Sequence, residues 1–200
     1  GQQITYIQLL QQHTHIQIPI IQRDYAQGRS DEQEVRDTFL AALEDALLKP
    51  AHDVSLPLNL DFIYGSVEEY QGKTQFLSLD GQQRLTTLFL LHWYLAWRDS
   101  AWEVFTALFV AEGKSRFRYG VRPSSNDFFD QLVVYRPTEA VDEVVSLADI
   151  VCDQPWFFRS WLRDPSIQSV QGMMDAIHER FATHSNLFTR LVDEARPAVT

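Results

Sequence analysis

Hydrophobic spacing divides the chain into a succession of short elements. Over residues 5–12, Tyr6, Leu9 and Leu10 recur at helical spacing, and His15-Ile16-Gln17-Ile18 then alternates as a strand does, with Pro19 ending it. Ser30 opens a strongly signalled helix. Gln33 stands at the capping-box position, acids fill the first turn, Val35, Phe39, Leu43 and Leu47 form one stripe, and Lys49-Pro50 stops it. Residues 62–69 and 74–79 are expected to form a hairpin about Gln71-Gly72-Lys73. The second strand runs directly into Asp80-Gly81, and from Gln82 the pattern turns helical. Leu85, Leu88, Phe89, Leu91 and Leu95 are spread too widely for one exposed face, which predicts a helix at the centre of the core.

The later half reads as mostly helical. Residues 100–112 place Trp102, Phe105, Leu108 and Phe109 on one side and close at Gly113; 117–121 is a short strand. Ser124 or Ser125 is expected to cap a helix that buries Phe128, Phe129 and Leu132. Asp164-Pro165 is a good cap followed by a good first-turn residue for a long helix marked by Ile167, Val170, Met174, Ile177 and Phe181. The whole predicts an α+β or α/β fold: a small mixed sheet with a strand-turn-helix at residue 80, followed by a mainly helical part. We divide it into a core over 1–99 and a helical extension of the same domain over 100–200.

A 45% hydrophobic, 12% aromatic composition rules out disorder and lets 200 residues bury a sizeable core. The most apolar run, 85–97, is broken by Thr86, Thr87 and His92 and is too short to span a bilayer, so no membrane role is expected. Cys152 is the only cysteine, which excludes an intrachain disulfide and suits a reducing cytoplasm. A chain that opens on Gly1 and stops soon after Pro197 reads as a fragment of something longer, truncated at its C-terminus. The net charge of -10 opposes a nonspecific hold on nucleic-acid phosphates. One positive island remains, Lys114, Arg116, Arg118 and Arg122, readable as a solvated strand edge or as a binding face. The histidines, His13, His15, His52, His92, His178 and His184, are scattered, and neither a zinc set nor a Ser-His-Asp arrangement emerges.

The chemistry concentrates where a strand ends in Asp80-Gly81 and opens a buried helix, because the unpaired amides of a first helical turn attract phosphate. Gly81 permits close backbone approach, Gln82 and Gln83 add neutral donors, and Arg84 adds a bidentate cation. Asp80 is the candidate Mg²⁺ ligand, or the group that orients an attacking water. The plain alternative is that Asp80 is only the N-cap of that helix. Gln22-Arg23-Asp24-Tyr25, in a loop after the first strand, can bring a second arginine to the same anion.

Residues 18–25, Ile-Pro-Ile-Ile-Gln-Arg-Asp-Tyr, and 79–88, Leu-Asp-Gly-Gln-Gln-Arg-Leu-Thr-Thr-Leu, together resemble the paired signatures of the GmrSD N-terminal domain family. Residues 122–129 resemble a third family segment, and 164–181 the helix after it, so the resemblance spans the chain up to about Ser185. It implies a ParB- and sulfiredoxin-related fold that binds and hydrolyses a nucleoside triphosphate, GTP or ATP, with Mg²⁺. It also implies coupling to cleavage of modified foreign DNA in bacterial defence. The partners implied are the nucleotide, modified DNA reached through the full-length protein, and an HNH-type nuclease in a C-terminal domain or subunit; homo-oligomers remain open. Carried over by residue, Asp80, Arg84 and Arg23 are the catalytic candidates. Gln22, Arg23, Tyr25, Gly81, Gln82, Gln83, Arg84, Arg122 and Ser124 are the nucleotide-binding ones. The chain departs from the pattern at Ala26-Gln27, where relatives carry an aromatic residue two places after the tyrosine. Two other readings stand beside this one: a DNA-recognition module gripping through the 114–122 island without nucleotide turnover, and a purely structural helical partner.

Overall fold

The computed structural model describes residues 1–20, 22–120 and 122–200; Ile21 of the upstream motif and Val121 of the expected 117–121 strand lie outside the described residues. In chain order the elements are α1 (Tyr6–Gln12), β1 (His15–Ile18), α2 (Gln33–Leu48), β2 (Gly65–Tyr70), β3 (Lys73–Ser78), α3 (Gln82–Arg98), α4 (Trp102–Phe109), β4 (Val110–Ala111), β5 (Lys114–Ser115), β6 (Phe117–Tyr119), α5 (Pro123–Val134), α6 (Leu147–Cys152), α7 (Pro165–Phe181) and α8 (Leu187–Leu191). Four strands form one mixed sheet in the order β2-β3-β1-β6. The short central strand β1 runs parallel to both β3 and β6, pairing Ile16 with Phe76 and with Phe117, while β2 returns antiparallel to β3. The fold is therefore α+β with a small mixed sheet, as expected.

Helix α3 has no wet face: every residue from 85 to 97 is buried, including Phe89, Trp93 and Tyr94, each worth roughly 1.5–3 kcal/mol of burial or more. It joins the two halves of the chain. Phe89 stacks on Phe117 of β6 with ring centroids 5.0 Å apart, and the Tyr94 hydroxyl lies 2.8 Å from Nδ1 of His178 on α7. Nε2 of His178 lies 2.6 Å from the Val144 carbonyl, which can only accept, so Nε2 carries the proton and Nδ1 accepts from Tyr94. Among the described residues no helix is long and apolar enough to cross a membrane.

Several local expectations shift. The capping box forms at α1, where Thr5 and Gln8 bond reciprocally, and not at Gln33, where α2 follows a 3-10 turn without a side-chain cap. On α2 the buried face is Leu40, Leu43, Ala46 and Leu47, which packs toward α7 and α8, and Val35 is exposed. Residues 62–64 are not strand, because the Tyr64 carbonyl accepts from the amides of Leu79 and Asp80 instead of extending the ladder. The expected helix over 100–112 stops at Phe109 and turns into the β4–β5 ribbon, with Glu112 and Gly113 both at positive φ. Helix α5 begins with Pro123 at its first position and Arg122 before it, so neither Ser124 nor Ser125 is its cap. Asp164 does cap α7, accepting from the amides of Ser166 and Ile167.

Candidate functional site

Because β1, β3 and β6 are parallel, the segments that follow them leave the sheet at the same end. Those segments hold residues 22–25, 80–84 and 122–124. In open α/β sheets ligands bind beyond the carboxyl ends of the parallel strands, and the three parallel strands here present the same kind of end.

The turn into α3 depends on Gly81. Its φ is +83°, and a Cβ there would lie 2.6 Å from Cγ1 of Ile63, so both conformation and space require glycine. Gly81 takes the position before the helix without a side-chain cap, and the amides of Gln82, Gln83 and Arg84 have no intrahelical acceptor. The alternative that Asp80 caps α3 is thus not realised. Asp80 is exposed, its carbonyl accepts from the Ser78 hydroxyl at 2.7 Å, and among the described residues its carboxylate has no partner.

Buried Gln83 joins the two motifs. Its Oε1 accepts from the amides of Ala26 at 2.8 Å and Gln27 at 3.3 Å, and its Nε2 donates to the Asp24 carbonyl at 3.1 Å. Nε2 of Gln22 adds a bond of 3.2 Å to the Leu79 carbonyl. The upstream loop therefore lies across the start of α3. It is also fastened to α7: the Tyr25 amide donates to Oγ of Ser166 at 3.0 Å and the Gly28 amide to Oγ of Ser169 at 2.9 Å. That approach needs a bare backbone, since a Cβ on Gly28 would fall 1.5 Å from the Ser169 carbonyl oxygen and one on Gly172 2.2 Å from the Gly28 oxygen.

Tyr25, expected to contact the nucleotide, is fully enclosed instead. The Thr87 hydroxyl donates to Oε1 of Gln27 at 2.7 Å, which leaves the Tyr25 hydroxyl as donor in its own 2.7 Å bond to Thr87. Burial raises its pKa far above the ordinary phenol range. Gln27 thus ends a hydrogen-bonded chain that runs from Tyr25 through Thr87.

The arginines divide. Arg23 is exposed, and among the described residues its guanidinium has no partner, although its carbonyl is held by the Tyr119 hydroxyl at 2.9 Å. Arg84 turns the other way and donates to the carbonyls of Leu60 and Phe62, the latter at 2.8 Å. Arg122 makes a two-pronged pair with Asp24, both contacts at 3.3 Å, and this carboxylate raises its pKa. Ser124 donates to Asp164, as does Ser125 at 3.2 Å. Buried Gln82 uses its carbonyl to accept from Thr86 at 2.7 Å. Asp24, Asp164 and Ser166 were not among the sequence candidates. Only the cap role of Asp164 was visible in the chain; its second oxygen serves Ser124 and Ser125, 40 and 39 positions away.

Within the 114–122 island Arg116, Arg118 and Arg122 are bonded to other parts of the chain, and Lys114 and Arg122 stay exposed. Arg116 donates to the carbonyls of Leu10, His13, Thr14 and Leu108, and burial lowers its pKa. Arg118 pairs with Asp130 at 3.1 Å and Arg122 with Asp24. Among the described residues no group of three His, Cys, Asp or Glu could hold a metal ion.

A family model described as GmrSD restriction endonuclease, N-terminal domain, matches residues 6–179, which takes in all of these segments. No curated protein and no solved structure matches.

Proposed function

The chain belongs to the GmrSD restriction endonuclease N-terminal domain family, and from that premise we propose that it is the nucleotide-binding and NTP-hydrolysing regulatory domain of a modification-dependent defence nuclease. The observation that carries the reading is the Gln83 clamp. It lays the loop bearing solvent-facing Arg23 across the first turn of α3, where free amides and the positive end of a 17-residue helix favour an anion.

Gly81 sets the turn by its positive φ, the Gln82, Gln83 and Arg84 amides donate to the phosphates of GTP or ATP, and Arg23 closes from the opposite loop. Arg84 reaches the ligand only by exchanging its carbonyl partners for phosphate oxygens, so its entry marks the bound state. Gln22, Tyr25, Arg122 and Ser124 act in this reading by holding the loops. Asp80 would hold Mg²⁺ or orient the attacking water; a Mg²⁺ ion that takes phosphate oxygens and keeps its waters needs only one or two carboxylates, which suits a single exposed aspartate. The ParB- and sulfiredoxin-like relation, the C-terminal nuclease partner and the modified DNA stand with the same proposal.

The test is phosphate release from ATP, GTP, CTP and UTP with Mg²⁺, alongside nucleotide-dependent melting, for the chain and for Arg23→Ala, Arg84→Ala and Asp80→Ala. Each lost charged contact should weaken binding by about 1.5–3 kcal/mol. Full turnover and binding in folded variants would refute the assignment. The DNA-recognition alternative would show itself as salt-sensitive DNA binding at low salt; against it, Arg116, Arg118 and Arg122 are each already bonded within the chain.

A further inference from the structure

Strand β2 is an edge of the mixed sheet: β3 pairs with one side of it, and no described strand pairs with the other. The phase of the ladder fixes what that free side offers. The Leu79 amide donates to the Tyr64 carbonyl at 2.9 Å, and the register then sets Ser66 against Leu77, Glu68 against Gln75 and Tyr70 against Lys73. Even-numbered residues therefore spend their backbone groups on β3. By the antiparallel alternation, Gly65, Val67 and Glu69 turn theirs outward, and such an edge is a template for another strand.

The side chains along it are laid out symmetrically. Tyr64, Val67 and Tyr70 are 60%, 57% and 61% exposed, with the two tyrosines on one face of the strand and Val67, midway between them, on the other. A two-fold axis through Val67 sets that residue against its own copy, Gly65 against Glu69, Ser66 against Glu68 and Tyr64 against Tyr70. No carboxylate then faces a carboxylate, each Glu68 meets a hydroxyl, and the tyrosines form aromatic cross-strand pairs. Moving the axis to Glu68 or Glu69 puts that acid opposite itself, which destabilises. Moving it to Ser66 or Gly65 carries Glu69 and Tyr70 past the start of the other strand.

We propose that β2 pairs with β2 of a second copy of this chain, antiparallel and two-fold symmetric about Val67, to form a homodimer with one continuous sheet. The two Val67 residues exchange both backbone groups, as do Gly65 and Glu69, which gives about six hydrogen bonds across the axis. The interface adjoins the turn into α3, because the Tyr64 carbonyl also accepts from the Asp80 amide. Each copy carries a net charge of -10, a repulsion that salt screens, so association strengthens with ionic strength.

Sedimentation equilibrium of the 200-residue chain at about 0.15 M salt, from about 1 µM to 1 mM, should show reversible dimerisation. Ser66 is exposed and opposes Glu68 of the second copy, so Ser66→Lys should tighten the dimer about threefold or more and Ser66→Glu should weaken it as much. Val67→Pro removes an outward amide that the β2–β3 ladder does not use. It should weaken the dimer about tenfold or more while keeping the circular dichroism of the parent. A monomer throughout that concentration range, or a dimer with the same dissociation constant in both Ser66 variants, overturns the proposal and leaves the edge to a partner of other chemistry.

Discussion

Replacing Gln83 by Leu removes the amide that clamps the upstream loop while preserving side-chain size, so no cavity is created. Three hydrogen bonds are lost, and the amides of Ala26 and Gln27 and the carbonyl of Asp24 lose their partner. At about 0.5–1.5 kcal/mol each, the loss lies between about 1.5 and 4.5 kcal/mol. The loop residues are only half-buried, so water can replace part of it once the loop lifts, and we expect about 2 kcal/mol. For a chain of this size that lowers the melting temperature by roughly 4–8 °C. Hydrogen exchange should locate the damage: the Ala26 and Gln27 amides lose protection, and the interior of α3 keeps it. Gln83→Glu should fall between, because it still accepts from both amides but cannot donate to Asp24. A Gln83→Leu protein that melts within about 1 °C of the parent with the Ala26 amide still protected would refute the clamp, and with it the argument that joins Arg23 to the α3 turn.

Gly28→Ala should destabilise by about 3 kcal/mol or more in urea titration, since its Cβ would collide with backbone of α7 that cannot move aside. Arg116→Met should cost about 3 kcal/mol, because four carbonyls lose a charged donor, and an unchanged midpoint would count against that role. The depressed His92 pKa ties stability to pH. Between about 4 and the unfolded value near 6.5, the unfolded chain binds the extra proton, so the contribution is whole above about 6.5 and is lost as pH falls through about 4, by about 3 kcal/mol at most. His92→Phe should flatten that part of the curve relative to the parent, and parallel curves would contradict the assignment. Lys114→Ala should leave any DNA affinity of the chain nearly unchanged in anisotropy at low salt, since it is one cation on an acidic protein.

Much of the local architecture was legible in the chain. The apolar breadth of 85–97, the alternation at 15–18, the hairpin about Gln71-Gly72 and the Asp164-Pro165 helix start are short-range signals, and each names an element the structure contains. The motif residues at 22–25 and 80–84 stood out as well. Their partners within the chain did not: Tyr25 bonds Thr87 in the interior, Arg84 holds two carbonyls, and Arg116 of the island is spent on backbone carbonyls. A side chain's type says what bonds it can make and nothing about which partner folding delivers.

The sequence by itself determined which segments are helical or extended, where the turns fall, and which residues carry chemistry, because periodicity, capping and glycine conformation act over a few neighbouring positions. Only the tertiary structure decided that three parallel strands release residues 22–25, 80–84 and 122–124 at one sheet end, that Gln83 locks the first two of these together, and that Arg84 is bonded to backbone carbonyls while Arg23 is exposed. Those outcomes rest on contacts between positions some 20 to 140 residues apart, set by strand order and by the bare backbone at Gly28 and Gly172, and no local pattern encodes them.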